Sequence, residues 1–138
     1  MTFGARDSKH SIEQGLTFAP KFDEHGLIPV MAMDAHSNEP LMLAYMNEES
    51  LKLTLELGEA VYWSRSRKEL WHKGKTSGQI QRVVELRTDC DQDAIVMKVE
   101  QLGGGCCHTG AGDCFYRSIA FGKELAGIGD GAVPLVRR

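Results

Sequence analysis

The chain has 138 residues, 42% of them hydrophobic and 25% charged, with a net charge of −3. That length suits one domain built on a single hydrophobic core. The acidic balance argues against a global basic field for nucleic acid or anionic lipid, and no apolar run is long enough to span a bilayer as a helix.

The opening stretch, MTFGARDSKHSIEQG, lacks the apolar middle of a secretory signal and points to a cytoplasmic, reducing location. Residues 1–18 are polar and unpatterned and read as an extended or poorly ordered arm. GLIPVMAMDA reads as a first strand, with Pro29 placing it at a sheet edge or marking the strand's beginning. Ser37, Asn38, Glu39 and Pro40 form a turn signal, and LMLAYM follows as a strand, alone or leading into a helix. NEESLKLTLELGE is two-sided: Leu51, Leu53, Leu55 and Leu57 alternate as in a strand. Asn47 can nevertheless cap a helix, Glu48 and Glu49 suit its first turn and Gly58 its end, which favours helix.

AVYWSRS and QIQRVVELRT read as strands on either side of the basic, glycine-containing RKELWHKGKTSG. AIVMKVEQL is a clear strand with Ile95, Met97 and Val99 on one face, and CFYRSIAF reads as a last strand. The glycine-rich GIGDGAVPLVRR reads as loosely held. The expected organisation is an arm (1–18), one domain (19–126) and a tail (127–138). The expected fold class is α+β, mainly β: a mixed folded sheet or a partly closed barrel with one principal helix.

All four cysteines lie between Cys90 and Cys114. In a reducing compartment such a cluster points to metal or catalysis ahead of a disulfide. Structural zinc sites use paired C-x₂₋₄-C knuckles, and this chain has none. Cys90 stands alone, Cys106 and Cys107 are adjacent, and Cys114 comes seven residues later, a spacing that fits three separate ligands with a fourth position open. In extended backbone Cys106 and Cys107 face opposite ways, so one of them is spare. The same reasoning sets His108 beside an ion, not on it, where it could move protons. The closed alternative is a structural site of three cysteines and a histidine.

Asp89, Asp91 and Asp93 alternate with Cys90 and Gln92, so an extended backbone would put the carboxylates on one face and Cys90 on the other. Hard oxygen ligands suit Mg²⁺. An EF-hand fails, because its sixth position is Ala94 where glycine is needed. Arg65, Arg67, Lys68, Lys73 and Lys75 make RSRKELWHKGK a local basic segment, suited to phosphate or to an exposed charged hairpin. KGKTSG lacks the spacing of a Walker A loop, and Trp71 reads first as a core anchor.

The stretches LMLAYMNEESLKLTLELGEAVYWSRSRKELWHKGKTSGQIQRV, DCDQDA, CHTG and CF together resemble the phosphoribosyl-AMP cyclohydrolases of histidine biosynthesis, over about residues 27–119. The resemblance implies zinc on Cys90, Cys107 and Cys114, magnesium on Asp89, Asp91 and Asp93, and a proton-transfer role for His108. It also implies a homodimer whose zinc ligands come from both chains. Within the matching segments, Arg65, Arg67, Trp71, Lys73, Gly74, Ser77 and Thr109 are the candidate substrate-binding residues. The implied reaction is attack of zinc-bound hydroxide on C6 of the adenine ring of 1-(5-phosphoribosyl)-AMP, breaking N1–C6.

The chain departs from the family's usual pattern in four places. Ala111, Gly112 and Asp113 stand where a basic pair and serine are usual, Lys75 replaces a glutamate, and Gln79 replaces an asparagine or histidine. Cys106 takes the place of a small residue. The metal-ligand positions are intact. Two other readings are a related zinc hydrolase acting on another purine nucleotide, and a zinc-stabilised module that binds nucleic acid without turnover.

Overall fold

The computed structural model describes residues 1–138 as eight strands, two α-helices and a short 3-10 turn. In chain order these are α1 (Lys9–Gln14), β1 (Ile28–Asp34), β2 (Pro40–Met46), α2 (Glu48–Leu57), β3 (Val61–Ser64) and β4 (Glu69–His72). Then come β5 (Gln81–Thr88), β6 (Ile95–Gln101), β7 (Arg117–Ile119), the 3-10 turn (Gly122–Leu125) and β8 (Leu135–Arg137). No helix is long and apolar enough to cross a membrane.

Six strands form one mixed sheet in the order β4-β3-β2-β1-β6-β5, in which only β1 and β6 run parallel. The sheet curls until its far edge meets the entry to β3. Ala60 N–H donates to Gln81 O at 2.9 Å and Val83 N–H to Gly58 O at 2.8 Å. The result is a half-barrel, mainly β, with α2 as its principal helix. Pro29 sits at the start of β1, one residue before the β1–β6 pairing begins at Val30, so its missing N–H costs the central strand nothing there.

The ambiguous leucine run is a helix. Asn47 accepts from Ser50 N–H at 2.8 Å while Ser50 Oγ accepts from Asn47 N–H at 2.9 Å, and Gly58 closes the helix in the left-handed region at φ 70°. The buried positions Leu51 and Thr54, with Leu55 packed against the core, follow helical spacing. Inside the curl lie Ile28, Val30 and Ala32 of β1, Ile95, Met97 and Val99 of β6, and Met46, Leu51 and Tyr62. A buried polar chain spans the closure: Tyr62 Oη donates to Gln81 Oε1 at 2.5 Å, and Gln81 Nε2 to Gln101 Oε1 at 2.9 Å. Burial pushes the Tyr62 hydroxyl well above its ordinary pKa, so it remains a donor.

Two expectations are corrected, and the hairpin reading of the basic segment holds. The arm is not unstructured: Ser8 and Ser11 cap α1, Phe3 packs edge-on against Phe18 at 5.5 Å, and Arg6 donates to Asp91 O at 2.9 Å. The basic segment contains a strand, β4, turned back from β3 through Lys68 at φ 53°. CFYRSIAF yields only the three residues of β7, and the tail is held by pairing β8 against it. The first two are local, a capping box and a tight hairpin, whereas the β7–β8 pairing joins segments farther apart, on which propensity is silent.

Candidate active site

The turn between β5 and β6 gathers the aspartates. Gln92 is in the left-handed region at φ 58°, and Asp89 Oδ1 accepts from the N–H groups of Asp93 at 3.0 Å and Ala94 at 3.2 Å. The backbone is therefore a tight turn and not the extended run expected. It still brings one oxygen from each of Asp89, Asp91 and Asp93 within 4.8 Å of the others. Hydrogen bonds shared with the Asp89 and then the Asp91 carboxylate push Asp93 up to about 6. Burial alone would raise Asp89, but bonds from Asp93 and the backbone outweigh it and hold Asp89 below the ordinary range. Three crowded carboxylates with hard oxygen donors fit a divalent cation such as Mg²⁺.

The cysteines other than Cys90 lie on the loop after β6. Gly103, at φ 75°, passes so close to residue 78 that an added Cβ would fall 2.4 Å from Gly78 O. Beyond it the chain turns sharply, so Cys106 and Cys107 do not take opposite faces of a strand as expected; both are buried, and the thiols of both approach that of Cys114. Cys106 Sγ lies 3.3 Å from Leu41 O, the carbonyl that also accepts Cys114 N–H at 2.7 Å. A cavity of about 500 Å³ opens here, walled by these three cysteines with His108, Met42, Trp71, Lys73, Gly74 and Ser77.

Electrostatics within the cavity favour a cation. Thr109 Oγ1 donates to Cys107 Sγ at 3.0 Å, and this bond, joined by the Thr109 backbone, lowers the Cys107 thiol below its ordinary value. Cys114 is exposed overall, but its sulfur faces the other thiols; partial burial, then the charges of Cys106 and Cys107, push it up to about 12. Burial likewise raises Cys106. The thiols cannot ionise together unless positive charge joins them, and a thiophilic ion such as zinc fits that donor set. Lys73 supplies part of the balance: it is buried, and its Nζ donates to Cys106 O at 2.6 Å.

The remaining candidates divide. Trp71, Gly74 and Ser77 line the cavity, and an added Cβ at Gly74 would fall 2.1 Å from Ile80 N, so this wall depends on glycine. Arg65 lies elsewhere, its guanidinium 4.0 Å from the centre of the Tyr45 ring, in a groove that shares only Trp71 with the cysteine cavity. Arg67 is exposed at the β3–β4 turn, 3.7 Å from Glu69. Sequence reasoning gave no role to Asp113, whose Oδ1 accepts from Phe115 N–H at 2.7 Å and shapes the turn around Cys114; an aspartate two residues before its donor was the available signal.

Cys90 is not brought to the other cysteines. β5 and β6 pair with Thr88 opposite Ile95 at one end and Gln81 opposite Gln101 at the other. Cys90 follows the first end and the cysteine loop follows the second, about 25 Å apart along the eight residues of β5. Within one chain Cys90 therefore does not meet Cys107 and Cys114, and the expected set of three sulfurs would need ligands from two chains.

The family model for phosphoribosyl-AMP cyclohydrolase matches residues 42–116, from β2 through the aspartate turn and the whole cysteine loop. The chain belongs to the phosphoribosyl-AMP cyclohydrolase family. It is 55% identical over 125 residues to the phosphoribosyl-AMP cyclohydrolase of Rhodopseudomonas palustris strain TIE-1, covering 91% of this chain and 79% of that protein. Its identity to the cyclohydrolase of Nitrobacter hamburgensis is 57% over 116 residues, covering 84% and 78% of the two chains. For the cyclohydrolase of Brucella canis the figures are 59% over 112 residues, 80% and 81%. Both features that could hold a cation lie inside the span matched by the cyclohydrolase family, whereas α1, β7 and β8 lie outside it.

Proposed function

We propose that this enzyme is a metal-dependent hydrolase that opens the adenine ring of 1-(5-phosphoribosyl)-AMP in histidine biosynthesis. Water adds at C6, the N1–C6 bond breaks, and the product is the formimino-aminoimidazole carboxamide ribonucleotide. The observation that carries this reading is the cavity in which Cys107, Cys114 and His108 meet, within a chain of cyclohydrolase sequence.

Zinc, held by Cys107 and Cys114 with Cys90 of the partner subunit, would supply an acidified water at the cavity. Support for a homodimer comes from the distance between Cys90 and the cavity in one chain, and from the apolar residues Leu43 and Val96 left exposed on the outer sheet face. The Thr109 hydroxyl favours the thiolate form of Cys107, and Lys73 offsets the gathered negative charge. His108 stands at the cavity wall, where an imidazole nitrogen can take a proton from the attacking water and return it to N1 as that bond breaks. Trp71 offers an apolar wall to the purine. The aspartate turn travels with Cys90, so Asp89 of the partner subunit, Asp91 of the partner subunit and Asp93 of the partner subunit would hold Mg²⁺ against substrate phosphate.

A nucleic-acid-binding module draws little support from the fold, since its basic residues are scattered: Arg65 over Tyr45, Arg67 beside Glu69, Lys73 buried. The deciding assay supplies purified protein with zinc, magnesium and phosphoribosyl-AMP and follows ring opening by ultraviolet absorbance. Turnover that vanishes in His108→Ala while bound zinc stays is the expected result. No turnover with both metals present would remove the proposal.

A further inference from the structure

The residues after Tyr116 lie outside the span matched by the family, yet they return to the cysteine loop. β7 and β8 pair with Arg117 opposite Arg137, which carries Arg138 to Tyr116, where its N–H donates to Tyr116 O at 3.0 Å. The Arg138 guanidinium then crosses the segment bearing Cys114. Nη1 donates to Phe115 O at 2.6 Å and lies 4.0 Å from Asp113 Oδ1, while Nη2 is 3.8 Å from Glu39 Oε2.

These contacts bracket one residue. Asp113 and Phe115 flank Cys114 and are joined by their own turn bond of 2.7 Å. Glu39 leads into β2, whose Leu41 carbonyl accepts the Cys114 N–H. The two ion pairs are long and partly exposed, so each alone contributes little. The charge-assisted bond to the Phe115 carbonyl is the strong contact, and the fork of an arginine can make it while facing both acids. With two carboxylates already facing it, Arg138 is poorly disposed to bind an anionic substrate.

We propose that Arg138 is a positioning residue for Cys114: it fastens the 113–115 turn to Glu39 at the start of β2, and so sets where the thiol sits and how tightly Cys107 and Cys114 take a thiophilic divalent ion. The metal half of this rests on the proposed zinc site; the thiol half does not. Partners that orient metal ligands from outside the coordination shell change affinity by about 10–100-fold.

The test compares metal-free wild type with Arg138→Ala, Arg138→Lys and Glu39→Gln. Iodoacetamide labelling is mapped to each cysteine by peptide mass spectrometry, and Co²⁺ binding is followed by its sulfur charge-transfer band. Arg138→Ala is expected to speed labelling of Cys114 several-fold, leave Cys90 unchanged and weaken Co²⁺ binding about tenfold. Arg138→Lys, able to reach one carbonyl, should recover part of both, and Glu39→Gln should show a smaller change in the same direction. Unchanged Cys114 labelling in Arg138→Ala overturns the proposal, as does a raised KM with unchanged labelling and cobalt affinity, which would make Arg138 a substrate contact. Should Arg138→Ala fail to fold by circular dichroism, wild-type labelling in both other variants overturns it equally. A wild-type protein that shows no cobalt band removes the metal reading, while the labelling comparison still decides the position of the thiol.

Discussion

Thr109 Oγ1 donates its proton to Cys107 Sγ at 3.0 Å, two residues along the same turn. A hydrogen bond to the charged form of a thiol favours thiolate, so this contact prepares Cys107 for metal or for alkylation. Thr109→Val is expected to move the pH at which Cys107 reacts with iodoacetamide upward and to slow its labelling several-fold at neutral pH. Thr109→Ser, which keeps the hydroxyl, should label like wild type. Equal rates in all three proteins would show that the bond does not control the thiol.

The placement of Cys90 at the far end of the β5–β6 hairpin makes a complementation prediction. Cys90→Ser and Cys107→Ser should each be inactive. In a dimer with shared ligands, a mixed dimer has one site with both lesions and one with none. Random reassociation of equal amounts makes half the dimers mixed, so about a quarter of wild-type activity should return. Cys106→Ser should be mild throughout, since serine can still donate to Leu41 O. No recovery on mixing would place all ligands of a site in one chain.

Crowding at the aspartate turn gives a pH dependence with a defined sign. Asp93 is raised to about 6, above its unfolded value near 4, so between those values the folded chain binds more protons than the unfolded chain. Its contribution to stability is therefore present at low pH and lost as pH rises through about 6, with the depressed Asp89 working in the opposite direction. Asp93→Asn should raise the melting temperature of the metal-free protein at pH 7.5 by about 2 °C, the group being solvent-screened. Mg²⁺ is expected to raise the wild-type melting temperature by more than this, and Asp93→Asn should abolish that rise. A melting temperature lowered by the substitution in metal-free buffer would contradict this electrostatic account.

The bond from Tyr62 to Gln81 joins β3 to the edge strand β5 across the curl of the sheet, out of contact with water. Tyr62→Phe keeps the ring in the core but leaves Gln81 Oε1 without its donor, which should cost about 1–3 kcal/mol in urea unfolding. Tyr62→Phe combined with Gln81→Leu should lose less than the two single changes together, because the orphaned group is gone. Additive losses would mean that the two side chains act independently.

Much of the local structure was readable in advance because its causes are local. Asn47, the acidic pair after it and Gly58 specify both ends of α2, and the alternation of Ile95, Met97 and Val99 specifies the buried face of β6. The aspartate triplet was legible as a group, although the shape that gathers it was not, because a turn through Gln92 can do what an extended strand was expected to do. β8 was invisible: it is short and ordinary in composition, and exists because β7 offers backbone partners with Arg117 opposite Arg137, whereas β4 pairs with the neighbouring β3 across the turn at Lys68.

The sequence by itself determined which groups could do chemistry here: soft sulfurs without knuckle spacing, stacked carboxylates, one histidine beside them, and the family to which they belong. Only tertiary structure decided which of them meet. Loop 102–116 bends at Gly103 and Cys107 and brings Cys106, Cys107 and Cys114 to the Leu41 carbonyl, Lys73 and Trp71, while the antiparallel hairpin carries Cys90 to the opposite end of the sheet. The physical reason is that side-chain chemistry is a property of each residue, whereas proximity depends on strand register and on turns closed by hydrogen bonds between residues far apart in the chain.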